Sequence, residues 1–245
     1  MSHHHSGVED WDLIPQKRRP WRHKPPEQRE ETAEEEAARE ALAKKLKMLD
    51  RLGIQELAIL FDDMHPDTPD LARTQAQIVD WVKANTSAGK LSVCPTYYSD
   101  DPVLDRVFGQ RPADYLETLG AELDREVRIF WTGEEVCSRE VSPGHLKRVS
   151  KLLGRKPLLW DNYPVNDGDR MSRHLHLRGF TGRPAGNAAY LAGHAINPAL
   201  QPVLTAIPAI TLAECYRRFD HPAAREILHW LAGRYQVTDE MVQTQ

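Results

Sequence analysis

The sequence lacks most of the features that would assign it directly to a common class of protein. No 18 uncharged apolar residues run together, and no apolar segment lies near the first residue, so we expect neither a membrane span nor a secretory signal. The three cysteines, Cys94, Cys137 and Cys215, are too few and too widely spaced for a disulfide framework or a structural zinc site. A net charge of −4 gives no basic surface for nucleic acid. We therefore expect a cytoplasmic protein that binds neither membranes nor nucleic acid.

Composition divides the chain into a tail and a domain. Residues 1–30 include "QKRRPWRHKPPEQRE", which combines high charge and proline with little apolar surface, and we expect a disordered tail there. Residues 31–52 are rich in Ala, Glu, Lys and Leu with leucines at helical spacing, which predicts a helix that ends at Gly53. Residues 31–245 are therefore assigned to a single folded domain.

After this helix, short apolar runs alternate with segments of helical periodicity. The runs are rich in β-branched and aromatic residues, and they read "ELAILFDD" (56–63), "KLSVCPTYY" (90–98), "VRIFWTG" (127–133), "KPLLWDN" (156–162) and "AGHAIN" (192–197). The predicted helices cover 69–85, 112–123, 143–153, 184–192, 199–217 and 222–235. Such alternation predicts an α/β fold with a parallel sheet buried between layers of helices.

The ends of the apolar runs distinguish an open sheet from a barrel. No G-x-G-x-x-G or G-x-x-x-x-G-K-[ST] loop follows any run, so the phosphate-binding turn of nucleotide-binding open sheets is absent. Every run instead ends in polar or aromatic side chains: Asp62, Asp63, Tyr97, Tyr98, Trp131, Trp160, Asp161, Asn162 and Asn197. In a (β/α)8 barrel, side chains from the carboxyl ends of several strands converge on one active site. We therefore expect a TIM-barrel arrangement.

Asp62 and Asp63 are adjacent at the end of the first run. Consecutive residues of a regular strand point to opposite faces, so the strand must end or kink for both carboxylates to reach one pocket. Two acids in different surroundings can have their pKa values pushed apart and serve different roles. The alternative is that one acid caps the following helix or is solvated in the loop.

The aromatic residues at the run ends suggest a pocket for a sugar. Tyr97, Tyr98, Trp131 and Trp160 could stack on the apolar faces of a sugar ring while Asp and Asn side chains bind its hydroxyls. Each aromatic residue alone also fits a core position. The loop "WDNYPVNDGDR" (160–170) places several amides and carboxylates directly after a strand, where functional loops are common.

Five segments together resemble glycoside hydrolase family 84, the β-N-acetylglucosaminidases that include protein O-GlcNAcases and bacterial hyaluronidases. They occur in this order within residues 42–216: "LFDDM", "CPTYYSDDPVLD", "FWTGEEVCS", "LLWDNYPVND" and "AINP". The resemblance implies a retaining glycosidase in which the substrate's own 2-acetamido oxygen is the nucleophile, through an oxazoline intermediate, with no metal or cofactor. The implied partner is a glycan or glycoprotein that carries N-acetylglucosamine.

The resemblance also implies a role for each site residue. Asp62 would orient and polarise the acetamido group, and Asp63 would be the general acid and then the general base. The remaining implied contacts are with the sugar: Tyr98 lines the acetamido pocket, Trp160 forms its wall, Asn162 contacts the acetamido or leaving-group region, and Asp167 and Asn197 hold the 4- and 6-hydroxyls.

Two motifs of the family are absent: a G-F-Y-G segment on the first strand and a substrate-binding lysine after the second. Counted against the family, the chain supplies strands four to eight of an incomplete barrel. The two outer strands would then have unpaired edges, which favours self-association and weak activity. Two other functions stay open: an inactive glycan-binding or scaffold protein, and a metal-dependent hydrolase using Asp62, Asp63 and His65.

Overall fold

The computed structural model describes residues 33–62 and 70–216. In chain order, the elements are α1 (Ala33–Arg51), β1 (Glu56–Leu60), α2 (Leu71–Ala84), β2 (Lys90–Cys94), α3 (Pro102–Phe108), α4 (Tyr115–Glu122), β3 (Arg128–Trp131), α5 (Pro143–Leu153), β4 (Leu158–Asp161), α6 (Gly168–Met171), a 3-10 helix (Ala185–Tyr190), β5 (Gly193–Ile196) and α7 (Pro202–Tyr216). No helix in these two ranges is both long and apolar enough to cross a bilayer.

The strands form one five-stranded sheet in the order β1-β2-β3-β4-β5, and all four neighbouring pairs are parallel. Glu56 pairs with Lys90 at the start of β1, and Trp160 pairs with Ala195 near the carboxyl ends of β4 and β5. Within the described ranges, β1 and β5 each pair with a single strand. The predicted fold, a partial TIM-like barrel of parallel strands with helices outside, is confirmed.

Helices α2, α4 and α5 bury one face of the sheet. Val79, Leu119 and Val149 from these helices pack in one apolar cluster with Val93 of β2 and Ile129 of β3, and all five side chains are fully buried. Burying each side chain contributes about 1.5–3 kcal/mol. The alternate residues of the strands point to the other face, which we call the inner face.

Element boundaries match the predicted ones most closely where turn and cap residues are clear. Gly53 follows α1 with a φ of 72°, which favours glycine, and the predicted helix end there is confirmed. Helix α3 is not among the predicted helices, although Asp101 caps it by accepting a hydrogen bond from the Val103 N–H at 2.9 Å and Pro102 opens it. The segment predicted as a helix at 184–192 is a 3-10 helix. The predicted tail (1–30) and the predicted helix at 222–235 lie outside the described residues.

Gly120 allows close contact between α4 and α5, and its replacement tests this packing. A Cβ at Gly120 would lie 2.2 Å from the carbonyl oxygen of Leu153, and backbone atoms cannot yield easily. We expect Gly120→Ala to lower the free energy of unfolding by about 1–3 kcal/mol, as overpacking does. Gly144 of α5 has no atom within 4 Å of the same position, so Gly144→Ala should leave stability unchanged or raise it by up to about 1 kcal/mol. Urea unfolding measures both, and equal stability of the two variants would contradict the packing argument.

Candidate active site

The end of β1 places Asp62 at the carboxyl edge of the sheet. β1 ends at Leu60, and one further hydrogen bond, from the Phe61 N–H to the Cys94 carbonyl at 2.8 Å, continues the pairing with β2. Asp62 then lies in a turn and is half-buried. The strand therefore ends before the acid pair, as the alternation of side chains requires. Asp63 and His65 lie outside the described residues.

A network of buried hydrogen bonds fixes Phe61, the residue that precedes Asp62. The Thr96 hydroxyl donates to the Phe61 carbonyl at 2.9 Å and accepts a hydrogen bond from the Gln75 side-chain amide at 2.8 Å. The Tyr115 hydroxyl donates to Gln75 and accepts from the Thr96 N–H. Burial, the largest cause, raises the pKa of Tyr115, so this phenol stays a donor at any ordinary pH. Buried networks with every member paired are rigid, and this one holds the backbone that leads into Asp62.

Tyr97 and Trp131 belong to the core, so the expectation that they line a sugar pocket is wrong. Tyr97 is 2% exposed, packs edge-on against Tyr115, and donates its hydroxyl to the Gly109 carbonyl at 2.8 Å. Trp131 is fully buried and donates its indole N–H to His145 of α5 at 2.9 Å. The pleat turns Trp131 toward the helices and leaves its neighbour Phe130 on the inner face.

Trp160, Asn162 and Asn197 form a hydrogen-bonded cluster at the carboxyl ends of β4 and β5. The Asn162 Oδ1 accepts from the Trp160 indole N–H and from the Asn197 Nδ2, each at 3.1 Å. The Asn162 Nδ2 donates to the Val136 carbonyl at 2.8 Å, and no described residue accepts its second hydrogen. Trp160 packs edge-on against Phe130 at 5.1 Å between ring centroids. The structure thus brings together three of the predicted site residues and leaves one amide N–H available to a ligand.

Tyr98 and Asp167 lie in the segments that follow β2 and β4. Tyr98 is half-buried beside the core, and its carbonyl accepts from the Thr132 N–H at 2.9 Å. Asp167 is exposed and directly precedes α6.

Burial, followed by the negative charges of Asp101 and Asp167, raises the pKa of the Cys137 thiol. Cys137 and Asn162 line one open cavity of about 380 Å³. Contacts of these side chains with a sugar stay a prediction.

Asp161 lies between two site residues but points the opposite way. Its side chain is 2% exposed and is paired with Arg183 at 2.7 Å and with His194 at 3.0 Å. Burial would raise the pKa of Asp161, but the hydrogen bonds and charges of Arg183 and His194 outweigh it and lower the pKa below its usual value. Neither Arg183 nor His194 stands out in the sequence. The available signal is Asp161 itself, since a carboxylate in a buried strand requires a cation.

A family model described as beta-N-acetylglucosaminidase matches residues 21–240. The chain belongs to this family. The match confirms the assignment to glycoside hydrolase family 84 made from the five motifs, and with it the class, a family of glycoside hydrolases. Mouse protein O-GlcNAcase is 29% identical over 185 residues, which are 72% of this chain and 20% of that protein.

Two solved structures are similar in fold to the matched part of this chain. An O-GlcNAc hydrolase mutant of Thermobaculum terrenum is 28% identical with a TM-score of 0.68, over 83% of this chain and 45% of that one. CpGH84B is 27% identical with a TM-score of 0.63, over 75% of this chain and 32% of that one. The chain therefore spans about a fifth of the curated relative and less than half of either solved structure.

The buried Asp161 predicts how stability depends on acid. Its folded-state pKa is lowered, so its contribution is fully present above the unfolded pKa of about 3.9 and is lost as the pH falls through the folded value. We expect Asp161→Asn to reduce the slope of unfolding free energy against pH between about 5 and 2. Glu56 is the matched control: hydrogen bonds from Lys90 and Arg128 lower its pKa to about 2, but the group is exposed and screened by solvent.

Glu56→Gln should therefore change the slope of unfolding free energy against pH less than Asp161→Asn does. Salt at 1 M should remove only the effect of Glu56→Gln, because salt screens exposed ion pairs more than buried ones. Urea unfolding at several pH values measures both. A larger, salt-resistant effect from Glu56 would contradict the assignment.

Proposed function

We propose that this chain carries the sugar-binding and catalytic strand ends of a retaining β-N-acetylglucosaminidase, which releases β-linked N-acetylglucosamine by substrate-assisted catalysis. The observation that carries the proposal is the Trp160–Asn162–Asn197 cluster at the carboxyl edge of the sheet, the same edge that Asp62 reaches, in a chain of this family. A ring wall, an available amide N–H and a strand-end carboxylate are the groups that an N-acetyl sugar needs.

Two adjacent carboxylates suit this reaction because they address neighbouring groups of the sugar. Asp62 accepts the acetamido N–H, so that the acetamido oxygen attacks the anomeric carbon and forms the oxazoline. Asp63 protonates the glycosidic oxygen as it leaves. It then removes a proton from the water that attacks the anomeric carbon and opens the oxazoline ring. The nucleophile belongs to the substrate, so the separation of two protein carboxylates does not set the stereochemistry as it does in most glycosidases.

The other predicted site residues bind and orient the sugar. The Trp160 ring forms the wall of the acetamido pocket, and the remaining Asn162 N–H donates to the acetamido or leaving-group region. Tyr98 lines the same pocket, and Asp167 and Asn197 hold the 4- and 6-hydroxyls. The two relatives named as O-GlcNAc hydrolases support a glycoprotein substrate. A cytoplasmic location fits such a substrate.

A second function, an inactive glycan-binding or scaffold protein, is favoured by one observation. Within the described ranges, the sheet has five strands and two outer edges, β1 and β5, whereas a closed (β/α)8 barrel builds its site from the loops after all eight strands. Hydrolysis of a chromogenic N-acetylglucosaminide, measured with and without a chelator, distinguishes the alternatives. Chelator-insensitive turnover supports the proposal, binding without turnover supports the scaffold, and activity lost with chelator supports a metal-dependent hydrolase.

The two acids should respond differently to the leaving group. We expect Asp63→Ala to slow substrates with poor leaving groups most and to recover in part with added azide, because acid assistance matters least when the leaving group is good. Asp62→Ala should slow substrates with good and with poor leaving groups alike, because both kinds of substrate react through the oxazoline. Rates across a series of aryl N-acetylglucosaminides measure this difference.

The wild-type chain sets the reference in the same series, and the circular-dichroism spectrum of each variant checks its folding. Equal sensitivity to the leaving group in the two variants would contradict the assigned roles.

A further inference from the structure

Arg183 uses every N–H of its guanidinium within the protein. Nε donates to the Asp161 Oδ2 at 2.7 Å and Nη2 to Oδ1 at 2.8 Å, which makes a two-point ion pair. The other hydrogens go to backbone carbonyls: Nη2 donates to Ser138 at 2.6 Å, and Nη1 donates to Thr181 at 3.0 Å and to Arg139. The Arg183 side chain is 4% exposed. A buried arginine with all five donors used is held in one geometry.

These contacts join the strand and the loop that together hold Asn162. Asp161 is the last residue of β4 and directly precedes Asn162, and its carbonyl accepts from the Asn197 N–H at 2.8 Å. Ser138 belongs to the loop after β3 whose Val136 carbonyl accepts from the Asn162 Nδ2. Arg183 therefore contacts both segments that orient the Asn162 amide: Asp161 directly precedes Asn162, and Ser138 lies in the loop that accepts from its side chain.

We propose that Arg183 is a positioning residue for the sugar site: it locks the loop at Val136–Ser138 onto β4 and so fixes the Asn162–Asn197 amide pair. The substrate effect rests on the proposed function, whereas the positional effect does not. Only arginine fits this role. Lysine has three donors on one nitrogen and cannot pair in two points with Asp161 while it also reaches carbonyls on two sides.

The test compares Arg183→Lys with Arg155→Lys in the full chain. Arg155 is the control because, like Arg183, it is an arginine that donates hydrogen bonds to several backbone carbonyls. These carbonyls lie at the start of β3 and the end of α4, at the opposite edge of the sheet: Gly120, Leu123, Asp124 and Val127. The side-chain amide signals of Asn162 and Asn197 are followed by ¹⁵N NMR. We expect both signals to move in Arg183→Lys and to stay in place in Arg155→Lys.

Catalysis provides the second readout, at a temperature equally far below the melting point of each variant. A shift of about 1 Å in a substrate-binding group can lower the rate about 100-fold, so we expect kcat/KM for an aryl N-acetylglucosaminide to fall about 10- to 100-fold in Arg183→Lys. Arg155→Lys should change it less than about twofold. Should Arg183→Lys not fold, Asp161→Asn replaces it, with the same two signals expected to move.

The outcomes separate the two proposals. Unmoved Asn162 and Asn197 signals in a folded Arg183→Lys protein overturn the positioning role, whether or not the chain is active. Equal losses of kcat/KM in Arg183→Lys and Arg155→Lys also overturn it, because a general loss of stability then explains both. Moved signals in a chain whose wild type neither hydrolyses nor binds an N-acetylglucosaminide support the positioning role and contradict the proposed function.

Discussion

The two-residue alternation of parallel strands is the constraint on which the rest of this structure depends. It sends Ile129, Trp131 and Leu159 to the helices and Phe130 and Trp160 to the inner face. All strands run the same way, so their carboxyl ends meet at one edge. Residues that follow the strands and point inward therefore gather there without being close in sequence.

Buried polar contacts make this edge rigid. Thr96 fixes the backbone before Asp62, and the Asp161–Arg183 pair fixes the backbone around Asn162. In both places a buried polar side chain fixes the end of a strand at the carboxyl edge of the sheet. Removing one member of a buried ion pair leaves a charge without compensation, which typically costs about 3–5 kcal/mol. Substitution of Asp161 or Arg183 is therefore expected to be costly even though neither is among the predicted site residues.

The alternation of strand residues also separates positions that tolerate substitution from positions that do not. Apolar side chains on the helix-facing side need only the right volume and pattern, which agrees with a TM-score of 0.68 at 28% identity. The edges have no such freedom. Among the described residues, β1 and β5 each pair with one strand, so the backbone groups on their other sides must be satisfied by water or by another segment. Self-association through these edges stays a prediction.

The sequence by itself determined the alternating elements, the parallel sheet and the family. Apolar periodicity, caps and motifs are local signals, and they located the start of each of the five strands within two residues of the observed start. The first two runs extend beyond the observed ends of β1 and β2, because the polar residues at their ends belong to the following loops. Tertiary structure alone decided which strand-end aromatics face the site. Tyr97 and Trp131 resemble Trp160 in sequence but are core residues, because the face of a strand residue depends on register and on what packs against it. It also decided the partners of Asp161, since Arg183 and His194 lie 22 and 33 residues away along the chain and only folding brings them to one carboxylate.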